Sequence, residues 1–178
     1  MDAGQTAHKI TFVLGGSRSG KSRVALDLAR DYAKVAFWAT GIATDAEMHE
    51  RIARHRRSRP AGWMLVEEPL DLIAGVARVS ELSVQCVVLD SLTTWAGNVL
   101  HRAGETAMAL EDLRILLKRA AALQGAWIIV SDEVGMSLVP DSAMGRKFRD
   151  FLGDANQIIA AAAGRVVCVS AGIPVVIK

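Results

Sequence analysis

Eight residues, Gly15-Gly16-Ser17-Arg18-Ser19-Gly20-Lys21-Ser22, constrain this chain more than any other stretch. They fit the spacing G-x-x-x-x-G-K-S/T. An apolar run, Ile10–Leu14, precedes them and reads as a strand; a helical pattern follows and extends to about Ala33. Glycines let the backbone turn tightly, so that successive N–H groups converge on phosphate oxygens, and the helix N-terminus adds positive potential. On this pattern Gly15, Gly16, Ser17, Arg18, Ser19, Gly20, Lys21 and Ser22 cradle a nucleotide's phosphates. Lys21 reaches the β- and γ-phosphates, and the Ser22 hydroxyl binds Mg²⁺. The alternative is an incidental Gly/Ser turn, against which the flanking strand and helix both argue.

The rest of the chain repeats the same alternation of apolar runs and helical patterns. Val35–Trp38, Met64–Glu67, Cys86–Asp90 and Trp127–Ser131 read as strands. Thr44-Asp45-Ala46-Glu47 is a capping box that opens a helix to about Arg57, and Pro60 stops it. Leu70–Val79, Leu92–Leu100, Glu105–Leu123 and Ser142–Ala163 read as further helices, and Asp132–Pro140 as a loop. Val166–Ser170 and Ile173–Ile177 flank Ala171-Gly172 as a closing β-hairpin. Continuous apolar strands separated by helices predict an α/β fold with a mostly parallel sheet covered on both faces, ending in an antiparallel hairpin. Ligands in such sheets sit beyond the carboxyl ends of the strands, here after Leu14, Trp38, Leu89 and Ser131. With 178 residues, 51% of them hydrophobic, one domain is expected over residues 9–178 behind a flexible polar tail at 1–8.

Two groups of polar residues stand out against this frame. Asp90 closes the run Val87-Val88-Leu89 and reads as a strand-end carboxylate that holds Mg²⁺; a helix cap is the alternative, although Ser91 could do that job. Residues 51–59 pack Arg51, Arg54, Arg56, Arg57 and Arg59 around His55. Like charges repel, and a polyphosphate is the simplest reason for such density. Neighbouring cations favour a neutral imidazole, which can attack phosphorus. The plainer reading of the spacing is a solvated basic face with a bystander histidine. Asp132-Glu133 divides in the same way, between a carboxylate near the γ-phosphate or the substrate hydroxyl, with Glu133 preferred, and an ordinary loop acid or helix cap.

Several classes are disfavoured. A net charge of +2 and 5% aromatic residues do not suit a nucleic-acid coat. Cys86 and Cys168 lie in apolar runs without any Cys/His cluster, so they read as buried reduced thiols rather than metal ligands. No apolar run has the length of a membrane span, and no signal peptide is evident, so a cytoplasmic protein is expected. Trp38, Trp63, Trp95 and Trp127 read as core or interface residues.

From about Ile10 to Lys178 the chain resembles the bifunctional adenosylcobinamide kinase / adenosylcobinamide-phosphate guanylyltransferase family. The resemblance rests on GGSRSGKS (residues 15–22), Ala39-Thr40-Gly41, DAEMHERIARHRRSRPAGW (45–63), Glu67-Glu68-Pro69, LDSLTT (89–94), SDEVGMSLVP (131–140) and VSAGIPVVIK (169–178). It implies a RecA-like P-loop NTPase fold and two reactions. A nucleoside triphosphate, ATP or GTP, phosphorylates the aminopropanol hydroxyl of adenosylcobinamide. GTP then gives GMP to that phosphate, through a GMP–histidine intermediate, and pyrophosphate leaves. By this resemblance His55 is the nucleophile and Lys21 its catalytic companion. Ala39, Thr40, Gly41, Arg56, Arg57, Ser58, Arg59, Glu67 and Asp90 join the phosphate loop in holding GTP. A homotrimer is also implied. Two rivals make different predictions: a plain kinase would not need His55, and a nucleotide-binding regulator would bind nucleic acid through the arginine-rich helix.

Overall fold

Seven strands pair into one sheet in the order β3-β2-β4-β5-β1-β6-β7. They are β1 (Ile10–Gly15), β2 (Val35–Ala39), β3 (Met64–Glu67), β4 (Cys86–Asp90), β5 (Ala126–Asp132), β6 (Arg165–Ser170) and β7 (Ile173–Val176). The computed structural model describes residues 9–43, 46, 49–50, 53, 60–102 and 106–178. All strand pairs are parallel except β6 with β7, as the sequence predicts. The helices are α1 (Lys21–Ala29), α2 (Leu72–Ser80), α3 (Leu92–Arg102), α4 (Thr106–Ala122) and α5 (Ala143–Ala162).

The strands are apolar without interruption because both faces are covered. Phe12, Trp38, Leu89 and Ile129 point to one face, where Leu92, Trp95, Leu113, Leu116, Leu152 and Ile159 of α3, α4 and α5 pack on them. Their neighbours Val13, Phe37, Val88, Ile128 and Val130 point to the other face, against Ala25, Leu26 and Ala29 of α1. The alternation is the period of two that a strand imposes. Trp38, Trp95 and Trp127 are fully buried, as expected of core residues, and the Trp95 ring lies 5.6 Å from that of Phe151. Cys86 is buried, whereas Cys168 is only partly so, packed at the margin of the core.

Element ends differ from expectation where local hydrogen bonds decide. Helix α1 stops four residues before Ala33: Arg30 N–H turns to the Asp27 carbonyl (3.3 Å) and Tyr32 N–H to that of Ala29 (3.2 Å), closing tighter turns. Helix α2 begins two residues after Leu70, since the Asp71 carboxylate accepts from Ile73 N–H (2.9 Å) and Ala74 N–H (2.8 Å). Strand β5 continues through Asp132, a residue expected in the loop. Helix α5 runs through Gly145 and Gly153 from a Ser142 cap. The predicted helix from Thr44 to Arg57 lies mostly outside the described residues; Ala46, His49, Glu50 and Ala53 within it are helical.

Register brings the site together. Gly15 pairs with Asp132, while Ala39 stands between Asp90 on one side and Glu67 on the other. Every strand-end position singled out in the sequence therefore lies along one edge of the sheet.

Candidate nucleotide-binding active site

The phosphate loop joins the end of β1 to the start of α1, with Gly20 at φ 96° as the residue before the helix. Few residues other than glycine adopt that backbone. Gly15 is required for a different reason: a Cβ there would lie 2.4 Å from the Val169 carbonyl and 2.6 Å from Ser19 Oγ. The loop is closed by Ser19 N–H on the Gly16 carbonyl (3.2 Å) and clasped from outside by Gly172 N–H on the Ser19 carbonyl (2.8 Å). Gly172 and Ala171, at φ 83° and 50°, form the primed hairpin turn between β6 and β7. The terminal hairpin thus serves as a brace for the phosphate loop. Ser19 Oγ is buried and has no hydrogen-bond partner among the described residues. A buried hydroxyl left in that condition costs free energy, which a phosphate oxygen would relieve.

Lys21 is buried at the floor of the loop. Its Nζ pairs with the Asp132 carboxylate and donates to the Gly16 carbonyl (3.3 Å). Three bonds fix Asp132 and its surroundings. Its N–H donates to Thr93 Oγ1 (2.8 Å), its carbonyl accepts from Asn156 Nδ2 (3.0 Å), and Glu133 N–H donates to the Gly15 carbonyl (3.0 Å). Of these two acids, Glu133 accepts at Oε1 from Gly135 N–H (2.6 Å) within its own loop, whereas Asp132 reaches the lysine. The missing signal was pairing: only when β5 lies beside β1 does its last residue abut Gly15.

Asp90 ends β4, one strand further out. Ser91 caps α3: its Oγ accepts from Thr94 N–H (3.3 Å) and its carbonyl from Trp95 N–H (3.2 Å). Thr40 is fully buried. Its hydroxyl donates to the Ser91 carbonyl (2.7 Å) and accepts from Ser91 N–H (3.1 Å), so this side chain locks β2 to β4. The Thr40 hydroxyl is thus committed to Ser91, which leaves the backbone of the Ala39–Gly41 turn to face the site. Gly41 and Glu67 are exposed at the same sheet end. The neighbouring Glu68 is structural, accepting from Leu70 (3.3 Å) and Asp71 N–H (3.1 Å) and pairing with Arg78 (3.4 Å). Four strand spacings separate β3 from β1, about 19 Å, so Glu67 and the phosphate loop define opposite ends of a long site. His55, Arg56, Arg57, Ser58 and Arg59 lie outside the described residues.

Among the described residues no group of three or more His, Cys, Asp or Glu side chains could hold a metal by itself. Ser22 and Asp90 suit a cation of another kind, Mg²⁺, which takes one or two protein oxygens and completes its shell with phosphate and water.

Residues 11–177 match the family described as cobinamide kinase / cobinamide phosphate guanyltransferase. The chain belongs to that family. Among its relatives is the bifunctional adenosylcobalamin biosynthesis protein CobP of Pseudomonas aeruginosa, 40% identical, with 93% of this chain and 95% of that protein covered. The CobU proteins of Escherichia coli and Salmonella typhimurium, of the same bifunctional description, are 38% and 36% identical, with 93% of this chain and 98% of each relative covered. A KaiC-like protein of Pyrococcus horikoshii shares the fold, with a TM-score of 0.50 at 14% identity over 89% of this chain and 69% of that one. The family membership bears out the kinase and guanylyltransferase classes expected from the sequence, and the P-loop fold bears out the architecture. ATP and GTP are its substrate class. No helix among the described residues is long and apolar enough to cross a membrane.

Proposed function

We propose that this chain carries out both family reactions on adenosylcobinamide at the one sheet edge, with two placements of the nucleotide. The observation that carries the reading is the alignment of the phosphate loop, Lys21, Asp90 and Glu67 along that edge. In the kinase step the substrate alcohol attacks the γ-phosphorus. A P–O bond forms, the bond to the β-phosphate oxygen breaks, the alcohol loses its proton, and a nucleoside diphosphate leaves. Gly15–Ser22 hold the phosphates through backbone N–H groups, and Lys21 spreads the developing charge. Mg²⁺, held by Ser22 and Asp90, would supply further neutralisation of phosphate charge when bound.

In the transfer step a neutral His55 nitrogen attacks the α-phosphorus of GTP. A P–N bond forms and pyrophosphate departs, its charge met by Arg56, Arg57 and Arg59 with Ser58. The phosphate oxygen of adenosylcobinamide phosphate then displaces His55, giving adenosylcobinamide-GDP and restoring the imidazole. The span of about 19 Å between β1 and β3 supports two placements, because one pose cannot present both the γ- and the α-phosphorus. Glu67, an acceptor at the far end, suits the guanine or ribose donors, and the Ala39–Gly41 turn lies between.

The protein acts in the cytoplasm, without nucleic acid, as a homo-oligomer, a trimer by the family resemblance. The edge strand β7 supports assembly, since Ile173, Val175 and Val176 on it, and Ile177 beyond, are exposed. The decisive experiment is labelling with GTP radioactive at the α-phosphate, beside a γ-labelled control, with Mg²⁺ and without corrinoid. The expected result is an acid-labile, alkali-stable protein label from α-GTP only, discharged by pyrophosphate and absent in His55→Ala. No label with GTP binding intact removes the transferase reading and leaves a kinase.

A further inference from the structure

The loop that leaves the sheet beside the phosphate site is an unusual surface. Met136 is 91% and Leu138 93% exposed, and Val139 and Met144 are exposed as well. Single apolar side chains on a surface are ordinary, whereas several on one short segment mark a contact. The backbone beneath them is pinned. Glu133 Oε1 accepts from Gly135 N–H (2.6 Å), Ser137 Oγ donates to the Val134 carbonyl (2.8 Å), and Arg146 Nη1 donates to the carbonyls of Pro140 (2.9 Å) and Asp141 (2.7 Å). A fixed backbone with apolar side chains turned outward is pre-organised for a ligand, because little ordering remains to be done on binding.

Position and charge narrow the occupant. The loop starts at the residue that pairs with Lys21, and Glu133 N–H is bonded to Gly15 itself. Met136 is four steps along the chain from Asp132, which limits their distance to about 14 Å. An alcohol brought to the γ-phosphate is therefore within reach of this loop with the rest of its molecule. Residues 133–141 contain no basic side chain and have Glu133 and Asp141 at their ends. The guanidinium beside them, that of Arg146, is committed to the Pro140 and Asp141 carbonyls, so the apolar side chains face an occupant that is neutral or cationic at its rim. Cobinamide is such a molecule: an uncharged rim of methyl groups and carboxamides around a cationic metal centre, with a hydroxyl on one arm.

We propose that Met136, Leu138, Val139 and Met144 form the docking surface for the corrin ring of cobinamide, while its arm passes Asp132 to the phosphate loop. The inference rests on cobinamide being the substrate, and the experiment separates the two. Wild-type turnover of cobinamide tests the activity first. The double variant Met136→Ser/Leu138→Ser tests the surface, with Met108→Ser, an exposed methionine on α4, as control. In the full-length protein the double variant should raise KM for cobinamide about tenfold or more, as expected from losing two large apolar contacts. KM for the nucleotide, kcat and sedimentation should stay at wild-type values, and Leu138→Met should restore tight binding. Equilibrium dialysis, read by cobinamide's visible absorbance, gives the same comparison without turnover. An unchanged affinity for cobinamide overturns the proposal. So does a fall in affinity that comes with a smaller sedimentation coefficient, which assigns the loop to a contact between copies of the chain.

Discussion

Lys21 carries two bonds at its tip, to Asp132 and to the Gly16 carbonyl, in the place where phosphates are expected. The carboxylate competes for the cation and adds negative charge at the same spot. Both side chains are mostly buried, 11% and 16% exposed, so screening is weak. Asp132→Asn should therefore tighten nucleoside triphosphate binding, on the order of 1 kcal/mol or roughly fivefold in Kd, measured by calorimetric titration. A lesion that merely disturbed packing would weaken binding, so the sign is diagnostic. Cys86 is the other residue with a consequence. Burial pushes its thiol from 9.0 up to about 12. Between those values the unfolded thiol is ionised and the folded one is not, so unfolding releases a proton. Stability is intact below pH 9 and falls as pH rises through the window, by at most about 1.4 kcal/mol per unit. Denaturant unfolding at pH 8 and pH 10.5 should show this slope in the wild type, with that part missing in Cys86→Ala.

Among the elements, the β6–β7 hairpin does the least expected work. Its turn donates from Gly172 N–H to the Ser19 carbonyl, so a turn more than 150 residues away in sequence sets the shape of the phosphate loop. At φ 83°, and with Arg23 Nη2 3.1 Å from where a Cβ would be, position 172 tolerates only glycine well. Gly172→Ala should cost about 1 kcal/mol of stability, seen as a lowered Tm, and should weaken nucleotide binding as well. A stability loss with nucleotide affinity unchanged would show that the clasp does not shape the loop. The bond from Glu133 N–H to Gly15 braces the same loop from the β5 side. The phosphate loop is thus held by strands on both flanks.

At the scale of the molecule, helices cover both faces of the sheet but β7 leaves one edge open. Ile173 (65%), Val175 (50%) and Ile177 (62%) are exposed there. An apolar edge of this kind invites pairing between chains unless another subunit covers it. On the homo-oligomer proposed above, Val175→Lys should lower the mass toward that of a monomer in sedimentation equilibrium while the far-ultraviolet spectrum stays unchanged. A variant that keeps its wild-type mass would place the contact between copies elsewhere.

The phosphate loop, the strand-ending Asp90, the core tryptophans and the terminal hairpin are legible in the sequence because local spacing dictates each of them. A glycine pattern before a helix admits few backbones, and an apolar run of strand length can be covered on both faces only inside a sheet. The family, and with it the kinase and guanylyltransferase activities, is legible for the same reason: its motifs occur as continuous strings. Tertiary structure alone decided the partners. Which strand lies beside β1 determines that Asp132, rather than Glu133, meets Lys21. The pairing of β2 with β4 brings the Thr40 hydroxyl onto the Ser91 backbone as a lock between the two strands. The return of the chain at β6 and β7 brings Gly172 onto Ser19. These contacts join residues far apart in the chain, and strand order, the one property that no local pattern encodes, fixes all of them.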